Sequence, residues 1–275
     1  MNRRSWNLQS GRFLLSLALL ASALVPGCGG EKVESRWVDG EIVLDGIPDE
    51  WQGSRTYIDS PNIALGAMND GTHLYIALAT PVRSVAARIL GQGLTVWFEP
   101  KGRGDRKFGI RCPMGMEDFK PMKGAAEDPA RIRELLRDAE TRLEILGPSD
   151  DDTAILLNDG TYGVQVALGY RDGNFGYELR VPLAIAGERD YGIGGDPGKP
   201  IRVGFETPEV NLEARREARP ASRSPGGDIG GGRGDGMHRG GIDDDMMRGG
   251  MPGGSLEAIK VWTSITLATA DAGSE

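Results

Sequence analysis

The chain has 275 residues, with 32 basic and 40 acidic side chains, a formal net charge of −8 and only two cysteines. An acidic balance of this kind makes nucleic acid and anionic lipid headgroups poor partners. Two cysteines exclude a disulfide-stapled scaffold, so stability must come from a buried core, which a chain of this length can build as one β-rich domain or two small ones.

The first segment is set apart from the fold. Arg3, Arg4 and Arg12 form a basic region without an acidic neighbour, and FLLSLALLASALV at 13–25 is an apolar run. Its length suits a signal peptide and is too short to span a bilayer as an ordinary helix. Pro26-Gly27-Cys28 follows, and VPGC resembles the lipobox of bacterial lipoproteins. That resemblance implies export, a signal peptide over 1–27, and lipid on the Cys28 thiol that ties the chain to a membrane. A diacylglycerol with an added N-acyl group anchors stably, whereas one acyl chain binds only marginally. Gly29, not Asp, follows Cys28, so the inner-membrane retention signal of enteric bacteria is missing and the outer membrane of the cell envelope is favoured over the inner. Loss of 1–27 removes three arginines, which leaves 29 basic against 40 acidic residues and a net charge of −11. Cys112 then has no partner for an intramolecular disulfide. Residues 28–36 are expected to be a tether.

From Trp37 the chain alternates apolar and polar residues, the mark of strands with one buried face, and a domain over 37–212 is predicted. EIVLD at 41–45 is expected as the first strand. In LDGIPDEWQG, Asp45-Gly46 reads as the turn leaving it, Asp49 as the carboxylate cap of a short helical turn, and Trp51 as a ring packed over the open end of the sandwich. IALGAMNDGTHLYIALA at 63–79 reads as a hairpin around Asn-Asp-Gly. LTVWFEP at 94–100 and FGIRCP at 108–113 alternate again. A helix over about 128–141 follows, with Asp128 as N-cap and Pro129 at its first position, folded over an edge or end of the sandwich. Further strands are expected at 163–170, 176–183 and 201–207.

Residues 213–255 are rich in glycine, arginine, aspartate and methionine and almost free of aliphatic side chains. Such a segment cannot bury enough apolar surface to offset its ordering entropy, so a long disordered loop is expected. Residues 256–268 hold the final strand, AIKVWTSITLA, and 269–275 the tail. The fold expected is all-β: an immunoglobulin-like antiparallel sandwich of about nine strands with one inserted helix.

EIVLDGIPDEW, MNDGTHLYIAL, GLTVWFEPKGRGDRKFGIRCP, YELRVPL and RVGFE, in that order, resemble the family 9 carbohydrate-binding module-like β-sandwich. Related sandwiches include the DOMON group and the haem-carrying subunits of some periplasmic dehydrogenases. The resemblance implies a non-catalytic binding module with a glycan as its leading ligand. It leaves two alternatives, a haem-carrying electron-transfer module and an envelope interaction or structural protein without a small ligand.

Little in the sequence supports catalysis. His73 and His238 are the only histidines, the first read as exposed and the second as lying in the Gly-rich loop. No Cys/His cluster has zinc spacing and no nucleophile elbow occurs. GIGGDPGKP at 192–200 imitates a phosphate loop but has Pro200 where Ser or Thr would hold magnesium, so it reads as a turn. Arg-Gly-Asp at 103–105 and 233–235 reads as coincidence. Trp97 and Trp262 stand opposite the aliphatic face of their strands, as an aromatic platform for a pyranose would. Arg111, Arg180 and Glu206, with Gln165 and Arg202, are the polar candidates beside them. No resident cofactor or metal is expected. The resemblance keeps calcium open at Asp150-Asp151-Asp152 or Asp243-Asp244-Asp245, though neither run has a calcium-loop spacing, and keeps haem open with Met68 as an axial ligand.

Overall fold

Strands with one apolar face must bury it, and two such sheets do so against each other. The computed structural model describes residues 32–40, 42–100, 108–116, 129–147, 152–185, 191–209 and 258–270. Strands β1 (Lys32–Glu34), β2 (Arg36–Trp37), β3 (Arg55–Ile58), β4 (Ile63–Asn69) and β5 (His73–Thr80) lead to helix α1 (Arg83–Gln92). Then come β6 (Thr95–Pro100), β7 (Phe108–Arg111), α2 (Pro129–Ala139), β8 (Arg142–Leu146) and β9 (Thr153–Leu157). Strands β10 (Gln165–Arg171), β11 (Asn174–Pro182), β12 (Pro200–Glu206) and β13 (Lys260–Thr266) complete the described chain.

The protein is an all-β sandwich. One sheet has seven strands in the order β1-β13-β12-β6-β7-β8-β9, and the other has six, ordered β10-β11-β5-β4-β2 with β3 also on β4. Most pairs are antiparallel, but β1 runs parallel to β13 and β2 parallel to β4. Between the sheets lies one core that includes Leu65, Leu78, Val96, Phe98, Tyr177 and Val203, all fully buried. Alternation sets this arrangement: Val96 and Phe98 point inward and are 0 % exposed, while Trp97 between them faces out and is half-buried.

Four expectations are corrected. Residues 42–44 form no strand, and Lys32–Glu34 and Arg36–Trp37, expected mostly as tether, are strands β1 and β2. The described residues hold thirteen strands instead of about nine, because β1, β2, β3, β8 and β9 were not foreseen while the strand expected at 41–45 is absent from 42–44. Helix α1 was also not foreseen, although Val85, Ala86, Ile89 and Leu90 form its buried stripe at helical spacing. The expected signal peptide, Cys28, Asp128, both Arg-Gly-Asp triplets, Asp150-Asp151 and the 213–255 loop lie outside the described residues.

Side chains finish several backbone ladders. Helix α2 buries Ile132 and Leu136, and just beyond it Glu140 Oε2 accepts the Leu168 N–H of edge strand β10 at 2.6 Å. The Asn158 amide donates to the Val166 carbonyl at 2.7 Å and accepts its N–H at 2.8 Å, standing in for a neighbouring strand. Between the sheets, Asn69 donates to the Ala268 carbonyl at 3.1 Å and accepts the Ala268 N–H at 2.8 Å. Ser35 joins this clamp, donating to Asn69 Oδ1 and accepting the same Ala268 N–H at 2.8 Å.

The β4–β5 hairpin turns on Asp70. Its Oδ1 accepts the N–H groups of Thr72 and His73 and the Thr72 hydroxyl at 2.6–2.7 Å, and its Oδ2 accepts the Tyr75 hydroxyl at 2.9 Å. Burial alone would raise the Asp70 carboxyl, but the bonds from Thr72, His73 and Tyr75 outweigh it and hold it below its ordinary 3.8. A carboxylate depressed in the folded state stabilises above its unfolded value, and that stabilisation is lost as pH falls through the folded one. Asp70→Ala is expected to cost about 1–3 kcal/mol at neutral pH, as loss of several hydrogen bonds to a part-buried charge does. Urea denaturation at several pH values checks this: the gap to the unmodified protein should narrow below about pH 4, and a gap that widens there contradicts the account.

Candidate functional site

Register places the tryptophans. On the outward face of the seven-stranded sheet, Trp262 of β13 pairs with Gly204 of β12, Gly204 with Trp97 of β6, and Trp97 with Gly109 of β7. Each ring lies over the glycine next to it. A Cβ on Gly204 would sit 2.5 Å from the Trp262 ring, and one on Gly109 would sit 2.7 Å from the Trp97 ring. No real Cβ tolerates such distances, so both glycines exist as beds for indoles that lie across the sheet instead of standing up from it. Both rings lean in the same direction, each by one strand.

Charged pairs flank this row. Trp262 Nε1 donates to Glu206 Oε1 at 2.8 Å, and the Arg202 guanidinium lies 4.4 Å from the centroid of the same ring. Arg202 Nη1 also donates to Glu99 Oε2 at 2.9 Å. Arg111 approaches Glu144 at 3.5 Å and donates to the Gln92 carbonyl at 3.3 Å. Trp97, Trp262, Arg111 and Glu206 therefore share one face, as the alternation of their strands indicated. Glu99 was missed, although it stands two residues from Trp97 on the same face. Gly204 and Gly109 were missed because cross-strand register cannot be read from one strand alone.

Arg180 is not part of that face. It stands on β11 of the six-stranded sheet, where Leu179 and Val181 point into the core and Arg180 points out on the far side. Two packed sheets, about 10 Å apart, separate it from the tryptophan row. Gln165, its direct cross-strand partner, lies on that far side with it.

The outward face of the six-stranded sheet is closed by the opening loop. Trp51 is 0 % exposed and packs with Ile42, Met68, Tyr75 and Ala77. It covers this sheet face, not the open end of the sandwich, which corrects the expected position. A Cβ on Gly66 would be 2.8 Å from the Trp51 ring. Glu178, also 0 % exposed, accepts Trp51 Nε1 at 2.8 Å, the Gly46 N–H at 2.8 Å and the Asp45 N–H at 3.0 Å. Burial pushes the Glu178 carboxyl up, the bonds from Trp51, Gly46 and Asp45 oppose that shift, and the nearby charge of Asp45 adds to it. Asp45-Gly46 is the expected turn: Asp45 Oδ1 accepts the Ile47 N–H at 2.8 Å and Gly46 has φ +76°. It presses on the cross-strand pair Gly169 and Gly176, where any Cβ would strike the Gly46 carbonyl. Asp49 does not cap a turn with its carboxylate, which pairs with Arg171.

The remaining candidates have structural surroundings. Met68 is buried beside Trp51, and its sulfur accepts a bond from Arg36 at 3.3 Å. His73 is half-buried, not exposed as expected; burial lowers its pKa, Asp70 opposes this, and the charge of Arg180 adds to the lowering. Burial pushes the Cys112 thiol far up, and the charge of Glu140 adds to this. Among the described residues no group of three or more His, Cys, Asp or Glu side chains could hold a metal ion.

No protein-family model matches the chain, and no curated protein does. Among solved structures it is similar to a family 9 carbohydrate-binding module from Caldicellulosiruptor kristjanssonii in complex with glucose. That match has a TM-score of 0.36 and 11 % identity, covering 67 % of this chain and 81 % of that one. The module in complex with cellotriose gives 0.35 and 11 %, with 67 % and 80 % covered. A carbohydrate-binding protein candidate from Bacteroides uniformis gives 0.33 and 14 %, with 65 % and 84 % covered.

Proposed function

We propose that the outward face of the seven-stranded sheet binds carbohydrate without catalysis, in an exported protein anchored by lipid on Cys28. The observation that carries the ligand class is the Trp262–Gly204–Trp97–Gly109 row. A flat indole offers its face to the C–H surface of a pyranose, and the glycine bed holds that ring in the plane of the sheet. Glu99, Glu206, Arg202 and Arg111 bring hydrogen-bond donors and acceptors to the rim, where sugar hydroxyls need both. Trp97 is the leading platform, because Arg202 already lies over Trp262. A ligand on Trp262 must displace that guanidinium, which then becomes a donor at the edge of the site.

A glycan array tests the ligand class directly. Retention of one or more glycans by the purified protein supports the reading, and absence of any retained glycan overturns it.

The anchor rests on the basic region, the apolar run and VPGC at 25–28. Cys28→Ser is expected to leave an uncleaved or soluble precursor, because the acyl-accepting thiol is gone. Detergent phase partition reads the outcome: a Cys28→Ser protein that still enters the detergent phase at mature size refutes the anchor.

A further inference from the structure

On the far side of the molecule from the tryptophan row, Arg180 is a half-buried cation that meets no counter-charge among the described residues. Its Nε is fully buried and has no hydrogen-bond partner, and among the described residues no carboxylate forms an ion pair with it. A guanidinium withdrawn from water without compensation is costly, so a fold that keeps one there calls for an explanation. Among the described residues the neighbouring acids serve other groups. Asp70 is occupied by Thr72, His73 and Tyr75, and Asp159 Oδ1 accepts the Thr161 N–H at 2.9 Å.

Polar and aromatic groups gather around Arg180. Gln165 and Tyr75 are its direct partners on the two adjoining strands. The 158–164 loop arches over them, with Gly160 at φ +77° and Gly163 at φ +76°. A Cβ on Gly160 would stand 3.0 Å from Arg180 Nη2 and 3.4 Å from Gln165 Oε1, so the missing side chain leaves the guanidinium and the carboxamide accessible together. Gly163 brings the same loop against Pro182 and toward His73 Nε2. Between these glycines Tyr162 is 43 % exposed and meets Tyr191 edge-on, with centroids 5.6 Å apart.

We propose that Arg180, Gln165 and the Tyr162 loop form a second binding site, for the carboxylate of an acidic sugar. The planar guanidinium takes a carboxylate through two parallel N–H bonds, the Gln165 amide takes an adjoining hydroxyl, and the exposed tyrosine faces the sugar ring. The site is independent of the tryptophan face, and it stands or falls separately from the reading given to that face.

Thermal unfolding of the purified protein at constant ionic strength tests this, with sodium glucuronate, inorganic phosphate and glucose as probes. Glucuronate should raise Tm in a saturable way, as a ligand of the native state does, while glucose, which has no carboxylate, should give no shift that depends on Arg180. Arg180→Gln should abolish the shift and leave the ligand-free Tm at or above that of the unmodified protein, because it relieves an uncompensated charge. Arg180→Lys should weaken glucuronate by at least about tenfold, since an ammonium cannot form the two-pronged contact. Trp97→Ala should leave the shift unchanged. A shift with phosphate but not glucuronate overturns the assignment to a sugar acid. Absence of a saturable glucuronate shift, a glucuronate shift that survives Arg180→Gln, or an Arg180→Gln protein that melts early or fails to fold overturns the site itself, the last by making Arg180 structural.

Discussion

Trp51→Ala should lower the unfolding free energy by about 3–5 kcal/mol, as truncations of large buried aromatics do. The ring is wholly buried against Gly66, Met68, Tyr75 and Ala77. Its removal opens a cavity, and the loop above is tied to the sheet by Glu178, Arg36, Arg55 and Arg171, so collapse is restricted. The same change takes one of three donors from a carboxylate with no access to water. Trp51→Phe should therefore fall between the two, keeping most of the packing but losing the bond, at about 1–3 kcal/mol. Urea denaturation measures both. A loss below about 1 kcal/mol for Trp51→Ala would show that the ring is a replaceable surface cover.

Trp97→Ala should do the reverse, removing glycan retention altogether while changing stability by no more than about 1 kcal/mol. Trp97 points away from the core, so its loss leaves Val96 and Phe98 packed as before. What disappears is the indole of the row that Arg202 does not cover. Gly109 would then lie bare, and a sugar would meet backbone in place of a ring. Array binding and denaturation on the same preparation decide the matter. If Trp97→Ala unfolds the protein, the ring is part of the scaffold and the platform is not there. If it folds and still binds the same glycans equally well, the ligand sits elsewhere.

LDGIPDEWQG shows how far a single sequence can be read. The alternation at 42–45 is real: Ile42 is buried, Val43 is 64 % exposed and Leu44 is half-buried. Alternation reports one-sided burial, however, and says nothing about whether a free strand edge exists to pair with. Here the N–H groups of Asp45 and Gly46 are taken by a side chain, Glu178, from 132 residues or more away. No local pattern announces such a partner. The strands that pair through ladders, β4 to β7 and β10 to β13, were legible because their apolar faces recur at period two. Strand β9 was not, because Ala154, Ile155, Leu156 and Leu157 are apolar on both faces. Helix α1 was legible in principle, since Val85, Ala86, Ile89 and Leu90 recur with a helical period amid the alternation. At the site, each outward residue followed from its own strand, but the sheet that carried it did not, which is why Arg180 was grouped with residues on the opposite surface.

The place of β13 governs the order in which the protein can be completed. It is the last strand among the described residues, yet it stands between β12 and β1, and β1 has no other partner in its sheet among those residues. A polypeptide that emerges amino end first therefore presents β1 without its ladder partner until β13 follows. Lys32, Val33 and Glu34 find their register only when Ser264, Ile265 and Thr266 arrive. The Ser35–Asn69–Ala268 clamp closes at the same moment. Both ends of the domain thus lock together, late and in one event, and a chain that stops short of Lys260 leaves each of them loose.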